Sequence, residues 1–414
     1  MRYFCYLILI LLLSGDMAHA KDRFVFPSQT DAAIDDWNER HYTVINTAVT
    51  PRNQLFVFFA GTGGLPRNYQ LISRHAADLG FHVINLRYPN DDAVNALCRN
   101  ASDPACYEQV RLEIIDGTDR SDLVDVDRPN SVENRLVKLL QYLDDRFPTE
   151  GWNQYLDDQN EPVWATLVVG GHSQGGGHAG ILGKTHKVDR VVMFAAIDYD
   201  ASRNEVAPWI SQKGVTPPSA YYGLGHERDI LVPPGRLVPG WEAYGMAVFG
   251  PVTSVDTQPP PYGNSHMLMT NADPKPGFQS LSPYHNSMVV DVETPLTQSG
   301  ALVFADTWTY LLTGRASSVA LEEAPESISI SLTPNHPNPF STTTTLTYTL
   351  PQAAPTQLSV YDLLGRRVAL LVDAPQAAGQ HTVRFDASRL PAGGYVYQLR
   401  AGAFRTSRML HVIH

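Results

Sequence analysis

The chain has 414 residues, of which 43% are hydrophobic and 18% are charged, and its formal net charge is −11. This length and composition predict a globular protein of roughly two or three domains with a full hydrophobic core. The acidic balance excludes a nucleic-acid-binding role, which requires clustered Lys and Arg, and we interpret the acidity as that of a soluble exterior.

The first 20 residues have the pattern of a secretory signal peptide. Arg2 supplies a positive start, Leu7 to Leu13 form an apolar run, and Ala18 and Ala20 give the small-residue pattern of a cleavage site. The run is too short to cross a hydrocarbon layer of ~30 Å, and no later apolar stretch is long enough either. We therefore expect Sec export, a mature chain that begins at Lys21, and no transmembrane segment in it.

Two cysteines remain after this segment, Cys98 and Cys106, because Cys5 lies within it. In an exported protein, two cysteines in one short polar loop predict a local disulfide. No paired base lies near them, so a catalytic thiol is not expected. The histidines are scattered without zinc-ligand spacing, and we predict neither a metal site nor a cofactor.

Short apolar strands alternate with helical patterns through residues 21–314. The predicted strands are 55–60, 81–86, 165–169, 191–195, 220–224 and 266–270. The predicted helices are 66–79, 132–147, 174–183 and 301–312. This alternation predicts the α/β class, with a mostly parallel sheet covered by helices on both faces.

The period of the apolar pattern changes from 3.6 to 2 after residues 315–327, which we interpret as a linker. The strands predicted beyond it are 344–350, 356–361, 366–371, 381–385, 395–399 and 404–412. Short strands separated by Gly- and Pro-containing turns are typical of a small β-sandwich. The sequence therefore predicts an Ig-like β-sandwich domain in residues 328–414.

Residues 171–175 read Gly-His-Ser-Gln-Gly, a G-x-S-x-G pattern between a predicted strand and a predicted helix. A nucleophilic serine needs this setting because its hydroxyl must be exposed on a sharp, strained turn. The bare pattern occurs by chance in about one chain in seven of this length, so the flanking strand and helix are what make it informative. With this motif, residues 40–314 resemble the α/β-hydrolase superfamily.

In that superfamily the chain order is nucleophile, acid, histidine. The resemblance implies Ser173 as nucleophile, Asp229 as acid and His285 as base. Asp198, which follows the predicted strand 191–195, is the alternative acid. His266, which opens the predicted strand 266–270, is the alternative base.

A Gly-rich loop, residues 60–64, follows the first predicted strand and resembles the superfamily's His-Gly-x-Gly loop, with Ala60 in place of His. The resemblance implies that the backbone N–H groups of Thr62 and Gln174 form the oxyanion hole. The Pro- and aromatic-rich segment 230–264 lies between the acid and the histidine. It is predicted to be either a wall of the acyl pocket or a structural loop.

Residues 332–340, Leu-Thr-Pro-Asn-His-Pro-Asn-Pro-Phe, begin a segment that resembles the C-terminal sorting domain of type IX secretion and extends to His414. The resemblance implies passage across the outer membrane through contact between residues 328–414 and the type IX secretion machinery. A spacer module of the kind found in flagellar-hook capping proteins is the alternative.

Together these features predict a secreted or cell-surface serine hydrolase. Its substrate would be a small or polymeric carboxylic ester, cleaved by a Ser-His-Asp triad through an acyl-enzyme. Two alternatives remain open. One is a peptidase or amidase of the same fold, and the other is an inactive surface protein used for adhesion or glycan binding.

Overall fold

The computed structural model describes residues 20–277, 280–315, 331–333, 335–350, 353–362, 366–401 and 404–413. Residues 1–19 of the predicted signal peptide and residues 316–327 of the predicted linker lie outside the described residues. The chain divides into two compact units, residues 1–318 and 319–414.

In the described part of the first unit, nine strands form one sheet with the order β1-β2-β4-β3-β5-β6-β9-β11-β10. A separate two-stranded ribbon is formed by β7 and β8. In chain order the strands are β1 (Lys21–Val25), β2 (His41–Ile45), β3 (Leu55–Phe59), β4 (His82–Leu86), β5 (Leu167–His172), β6 (Arg190–Phe194), β7 (Tyr199–Asp200), β8 (Glu205–Val206), β9 (Tyr221–His226), β10 (Thr253–Ser254) and β11 (Met267–Thr270). Only β2 runs against the other strands of the large sheet, so the carboxyl ends of the parallel strands meet at one edge.

Helices cover both faces of this sheet. They are α1 (Pro27–Thr30), α2 (Gln70–Asp78), α3 (Val94–Leu97), α4 (Cys106–Asp116), α5 (Val132–Arg146), α6 (Gln174–Thr185), α7 (Pro234–Ala243), α8 (Pro283–Asn286) and α9 (Ala305–Thr313). Strand β3 is apolar throughout because both of its faces are buried. Val57 and Phe59 enter the core shared with α4, α5 and α6, whereas Phe56 and Phe58 enter the core shared with α2 and α9.

The α/β class with a mostly parallel sheet is confirmed, and most predicted elements agree with the observed ones within a few residues. Helix α4 is not among the predicted helices, because its buried positions include charged Arg111 and Glu113 and so give no apolar period. Helix α7 lies in the Pro-rich segment 230–264. Pro234 occupies its first turn, where the missing N–H has no helical partner to lose.

A disulfide joins the end of α3 to the start of α4. The Cys98 and Cys106 sulfurs are 1.96 Å apart, and the two Cα atoms are 5.8 Å apart. Both cysteines are buried. The bridge therefore closes the short polar loop between these helices and packs against the core on the α4 side of the sheet.

The second unit is a β-sandwich, as predicted. One antiparallel sheet has the order β12-β13-β16, and the other has the order β15-β14-β17-β18. The strands are β12 (Ser331–Leu332), β13 (Thr343–Leu350), β14 (Ala354–Asp362), β15 (Arg367–Gln376), β16 (Gly379–Asp386), β17 (Gly393–Ala401) and β18 (Phe404–Val412). Side chains from both sheets, including Tyr348, Phe385 and Tyr397, share one buried core.

Neither unit contains, in the ranges given above, a helix long and apolar enough to span a bilayer.

We expect the Cys98→Ser/Cys106→Ser protein to fold with a first unit that is less stable by about 2–3 kcal/mol, because opening so short a loop restores chain entropy to the unfolded state. All six tryptophans lie between residues 37 and 308, so tryptophan fluorescence during urea unfolding reports on the first unit alone. An unchanged unfolding midpoint would show that the bridge contributes nothing to stability.

Candidate active site

Ser173 lies on a strained turn between β5 and α6. Its backbone angles are φ 53° and ψ −119°. This positive φ lies in a region of the Ramachandran plot that residues other than Gly rarely adopt. The turn is held by a 2.8 Å hydrogen bond from the Ser173 N–H to the Phe194 carbonyl. The strained backbone conformation thus places the Ser173 hydroxyl at the edge of the sheet.

Two glycines make this turn sterically possible. A Cβ on Gly171 would overlap the backbone of Gly175, and a Cβ on Gly175 would overlap the carbonyl oxygens of Phe59 and Ala60. Helix α6 therefore begins in direct contact with β3. This contact explains why the motif has glycine on both sides of Ser173.

Asp229 and His285 reach the same edge as Ser173 because they follow β9 and β11, which run parallel to β5. His285 Nδ1 lies 2.7 Å from Asp229 Oδ2, and both side chains are buried. The other carboxylate oxygen of Asp229 accepts hydrogen bonds from the N–H groups of Leu231 at 2.8 Å and Val232 at 3.1 Å. The structure therefore fixes the orientation of both the carboxylate and the imidazole.

The electrostatics favour an ionised Asp229. Burial alone would raise the pKa of its carboxyl, but the hydrogen bond and charge of His285, with the N–H groups of Val232 and Leu231, outweigh burial and lower it. A carboxylate only accepts, so Nδ1 of His285 carries a proton. Nε2 is then the nitrogen left to act as a base.

His172, the residue before Ser173, connects this pair to the Gly-rich loop. Its Nε2 donates to the His285 carbonyl at 3.0 Å, and its ring lies 4.8 Å from the His285 ring. Burial and the charge of His285 lower the pKa of His172 to about 3, so its ring is neutral and Nδ1 accepts from the Tyr69 hydroxyl at 3.1 Å. The Tyr69 oxygen in turn accepts the Gly61 N–H at 3.0 Å.

This chain of hydrogen bonds brings His285 beside the turn that carries Ser173. Among the hydrogen bonds of the described residues, none joins Ser173 Oγ to the His285 ring. Catalytic hydrogen bonds are often long without bound substrate and shorten in the complex.

The two N–H groups assigned to the oxyanion hole point to no protein acceptor in the described chain. Neither the Thr62 N–H nor the Gln174 N–H has a hydrogen-bond partner there, and Gln174 is the first residue of α6, where helical N–H groups are free. The Thr62 hydroxyl donates to Gln174 Oε1 at 2.8 Å and so links the two residues. Gln174 Nε2 is buried without a partner.

Asn90 braces the Gly-rich loop from the neighbouring strand connection. Its side-chain amide donates to the carbonyls of Gly61 at 2.6 Å and Gly64 at 2.9 Å. The backbone carbonyl of Asn90 accepts a hydrogen bond from the Gly63 N–H at 2.8 Å. The loop is therefore held in one shape before any substrate binds.

The alternative acid is used elsewhere. The Asp198 carboxylate is fully buried and accepts two hydrogen bonds from the Arg111 guanidinium, at 2.5 and 2.6 Å, and one from Trp209 Nε1 at 3.0 Å. Arg111 also donates to the Gln174 carbonyl at 3.0 Å. The pair supports the first turn of α6 and does not contact His285.

The alternative base also lies away from the acid. His266 donates through Nδ1 to the Tyr221 carbonyl at 2.9 Å and is stacked between the rings of Tyr222 and Phe249. The structure thus brings His285, and not His266, to Asp229.

Sequence reasoning missed Arg111, Asn90 and Tyr69. Each acts through a contact between segments far apart in the chain, and no local motif marks them. A buried charge in a helix is the one signal that could have drawn attention to Arg111.

A pocket of about 40 Å³ opens beside the serine. Its lining residues are Thr62, Ala93, Val94, Asn95, Arg111, Ser173, Gln174, Ala195, Ile197 and Val232. Within the described ranges, no three His, Cys, Asp or Glu side chains lie close enough together to hold a metal ion.

The strand order, the strained serine turn after β5 and the residues that follow β9 and β11 define the first unit as an α/β-hydrolase fold. Among solved structures, the chain is similar to a protein described as a dienelactone hydrolase from Klebsiella pneumoniae subsp. pneumoniae. The TM-score is 0.34 with 11% sequence identity, and the match covers 61% of this chain and 86% of that chain. Comparison with curated protein sequences finds no match.

The second unit is assigned by its sequence family. Residues 336–412 match the secretion system C-terminal sorting domain. The protein is therefore exported by type IX secretion to the cell surface or the extracellular space, as the resemblance in the sequence implied.

We expect the first unit to lose stability as the pH falls from about 6.5 toward 4, the range in which histidines of an unfolded chain take up protons. Burial, with the charge of Arg190, lowers the pKa of His266 to about 4. The unfolded state therefore binds more protons than the folded state in this range.

The His266→Gln protein should show a shallower dependence of unfolding free energy on pH, by up to about 1.4 kcal/mol per pH unit. Urea titrations followed by tryptophan fluorescence at several pH values measure it. An unchanged slope would contradict the assignment even if the substitution lowers overall stability.

Proposed function

We propose that the first unit is a serine hydrolase that cleaves carboxylic esters, with Ser173 as nucleophile, His285 as general base and Asp229 as the acid that orients it. The observation that supports this most directly is the buried 2.7 Å hydrogen bond between His285 Nδ1 and Asp229 Oδ2. It lies at the sheet edge that carries the strained Ser173 turn.

The proposed reaction begins when His285 Nε2 takes the proton of Ser173 Oγ as that oxygen attacks the ester carbonyl. The carbonyl oxygen becomes an oxyanion, which the free N–H groups of Thr62 and Gln174 stabilise. The imidazolium then protonates the leaving alcohol, and the acyl-enzyme remains.

Water attacks the acyl-enzyme in the second half. His285 takes a proton from the water, the tetrahedral intermediate returns the electron pair to the carbonyl, and the Ser173 oxygen leaves with the proton. Asp229 stays ionised throughout and stabilises each imidazolium.

Esters rather than amides are proposed because the pocket that the described residues form next to Ser173, about 40 Å³, is too small for an extended peptide. The pocket at the serine is small, and the rim that follows Asp229 is apolar, with Ile230 and Leu231 exposed. The pocket of about 40 Å³ holds only the part of the acyl group next to the scissile carbonyl.

Replacing Ser173 by Ala should lower kcat/KM for 4-nitrophenyl acetate by at least about 10⁴-fold, because the attacking atom is removed. Labelling by a fluorophosphonate probe should disappear with it. Ser28→Ala, a change of an exposed serine in α1, is the matched control and should keep both. Full esterase activity in the Ser173→Ala protein would overturn the proposal.

The two aspartates should respond in opposite ways. Asp229→Asn should lower kcat by about 10⁴-fold with a near-normal unfolding transition, because the imidazole loses its orienting anion. Asp198→Asn should lower the unfolding free energy by about 3–5 kcal/mol, because Arg111 is left buried and unpaired. Esterase kinetics and urea unfolding of both variants measure these effects, and the reverse pattern would transfer the acid role to Asp198.

A further inference from the structure

A second pocket, of about 140 Å³, adjoins the one at Ser173. We call it the flank pocket, and its lining includes Asn95, Arg99, Ile197, Leu231, Val232 and Arg236. Asn95, Ile197 and Val232 line both pockets. The two pockets are therefore adjacent, and an acyl chain that extends from Ser173 into the flank pocket must pass these three residues.

The flank pocket is cationic in a chain whose net charge is −11. It is lined by two arginines and by no acidic residue. Among the described residues, the guanidinium groups of Arg99 and Arg236 have neither an ion-pair partner nor a hydrogen-bond acceptor. The guanidinium of Arg236 lies 5.2 Å from the centre of the Tyr199 ring. Two donors of this kind are free to bind an anion.

The backbone segments that carry these arginines are anchored. Arg99 follows Cys98, whose disulfide to Cys106 closes the loop, and Asn95, one turn earlier, donates to the Ile197 carbonyl at 3.2 Å. Arg236 lies in the first turn of α7, where its N–H donates to the Pro233 carbonyl at 2.8 Å. The two cations therefore belong to different elements that converge on one pocket.

Two of the three residues shared by the pockets, Ile197 and Val232, give the wall between Ser173 and these cations an apolar surface. Ile197 and Val232 are buried, whereas Leu231 is 54% exposed at the pocket mouth. An aliphatic chain matches this wall, and a carboxylate matches the planar donor fork of a guanidinium. The path thus leads from the apolar side chains of Ile197 and Val232 to the cationic groups of Arg99 and Arg236.

We propose that the flank pocket is a subsite that binds a carboxylate at the far end of the substrate, so that the preferred ester is anionic, with an aliphatic chain between its scissile carbonyl and the carboxylate. The proposal deepens the ester hydrolase function above and rests on it. Arg99 and Arg236 determine specificity and do not take part in bond cleavage.

Two esters of equal length test the subsite. Mono-4-nitrophenyl adipate carries a free carboxylate, and methyl 4-nitrophenyl adipate is its neutral counterpart. The ratio of their kcat/KM values, anionic over neutral, should fall by at least about tenfold in the Arg99→Gln/Arg236→Gln protein, as expected for loss of a charge-assisted contact. Because it is a ratio, it does not depend on the fraction of folded enzyme.

Arg146→Gln is the matched control. Arg146 is exposed, and its guanidinium lies 5.6 Å from the centre of the Tyr142 ring, much as Arg236 lies over Tyr199. Arg146 is the last residue of α5. The carbonyl of Glu150, four residues later, contacts His82 at the amino end of β4. This edge of the sheet is opposite the edge that carries Ser173. The control should keep the wild-type ratio. A ratio that survives in the double variant, or falls equally in the control, would overturn the subsite.

Failure of the underlying function gives a different result. If the wild-type protein hydrolyses neither ester, the ester hydrolase proposal fails. Calorimetric binding of monomethyl adipate to the Ser173→Ala protein then tests the subsite by itself. Binding that the Arg99→Gln/Arg236→Gln changes abolish supports the subsite, and binding that they leave unchanged, or no binding at all, rejects it.

Discussion

The close approach of α6 to the sheet is the constraint on which the candidate site depends. Gly175 touches the carbonyls that end β3, and Gly171 touches Gly175, so the chain can leave β5 and enter α6 only through the strained conformation of Ser173. The same approach places the N–H of Gln174 next to the Gly-rich loop after β3. One steric contact therefore positions both the proposed nucleophile and one of the proposed oxyanion donors.

Strain of this kind persists only when the surroundings hold it, and here they do so with buried polar groups. Beneath the first turn of α6, Arg111 and Asp198 neutralise one another, and Arg111 binds the Gln174 carbonyl. On the other side, His172 and Tyr69 link the backbone carbonyl of His285 to Gly61. Burying these polar groups costs free energy unless each has its hydrogen-bond partner. We therefore expect these contacts around the Ser173 turn to form together.

The sequence predicted what has a local signature. The alternation of strands and helices, the change of period before the sandwich and the serine turn all depend on residues that are close together in the chain. The order Ser173, Asp229, His285 could be proposed because the sequence resembles the α/β-hydrolase superfamily, in which the nucleophile, the acid and the histidine follow in that order. Helix α4 could not be predicted, since charged residues occupy buried positions in it, and the partner of Asp198 could not, since Arg111 lies 87 positions away.

All groups of the candidate site lie between Gly61 and His285, and the sorting sandwich begins well after them. The candidate site and the export signal of the sorting domain are thus encoded in separate segments of the chain. Proteolytic removal of the sorting domain after export would therefore leave every residue of the candidate site in the remaining chain.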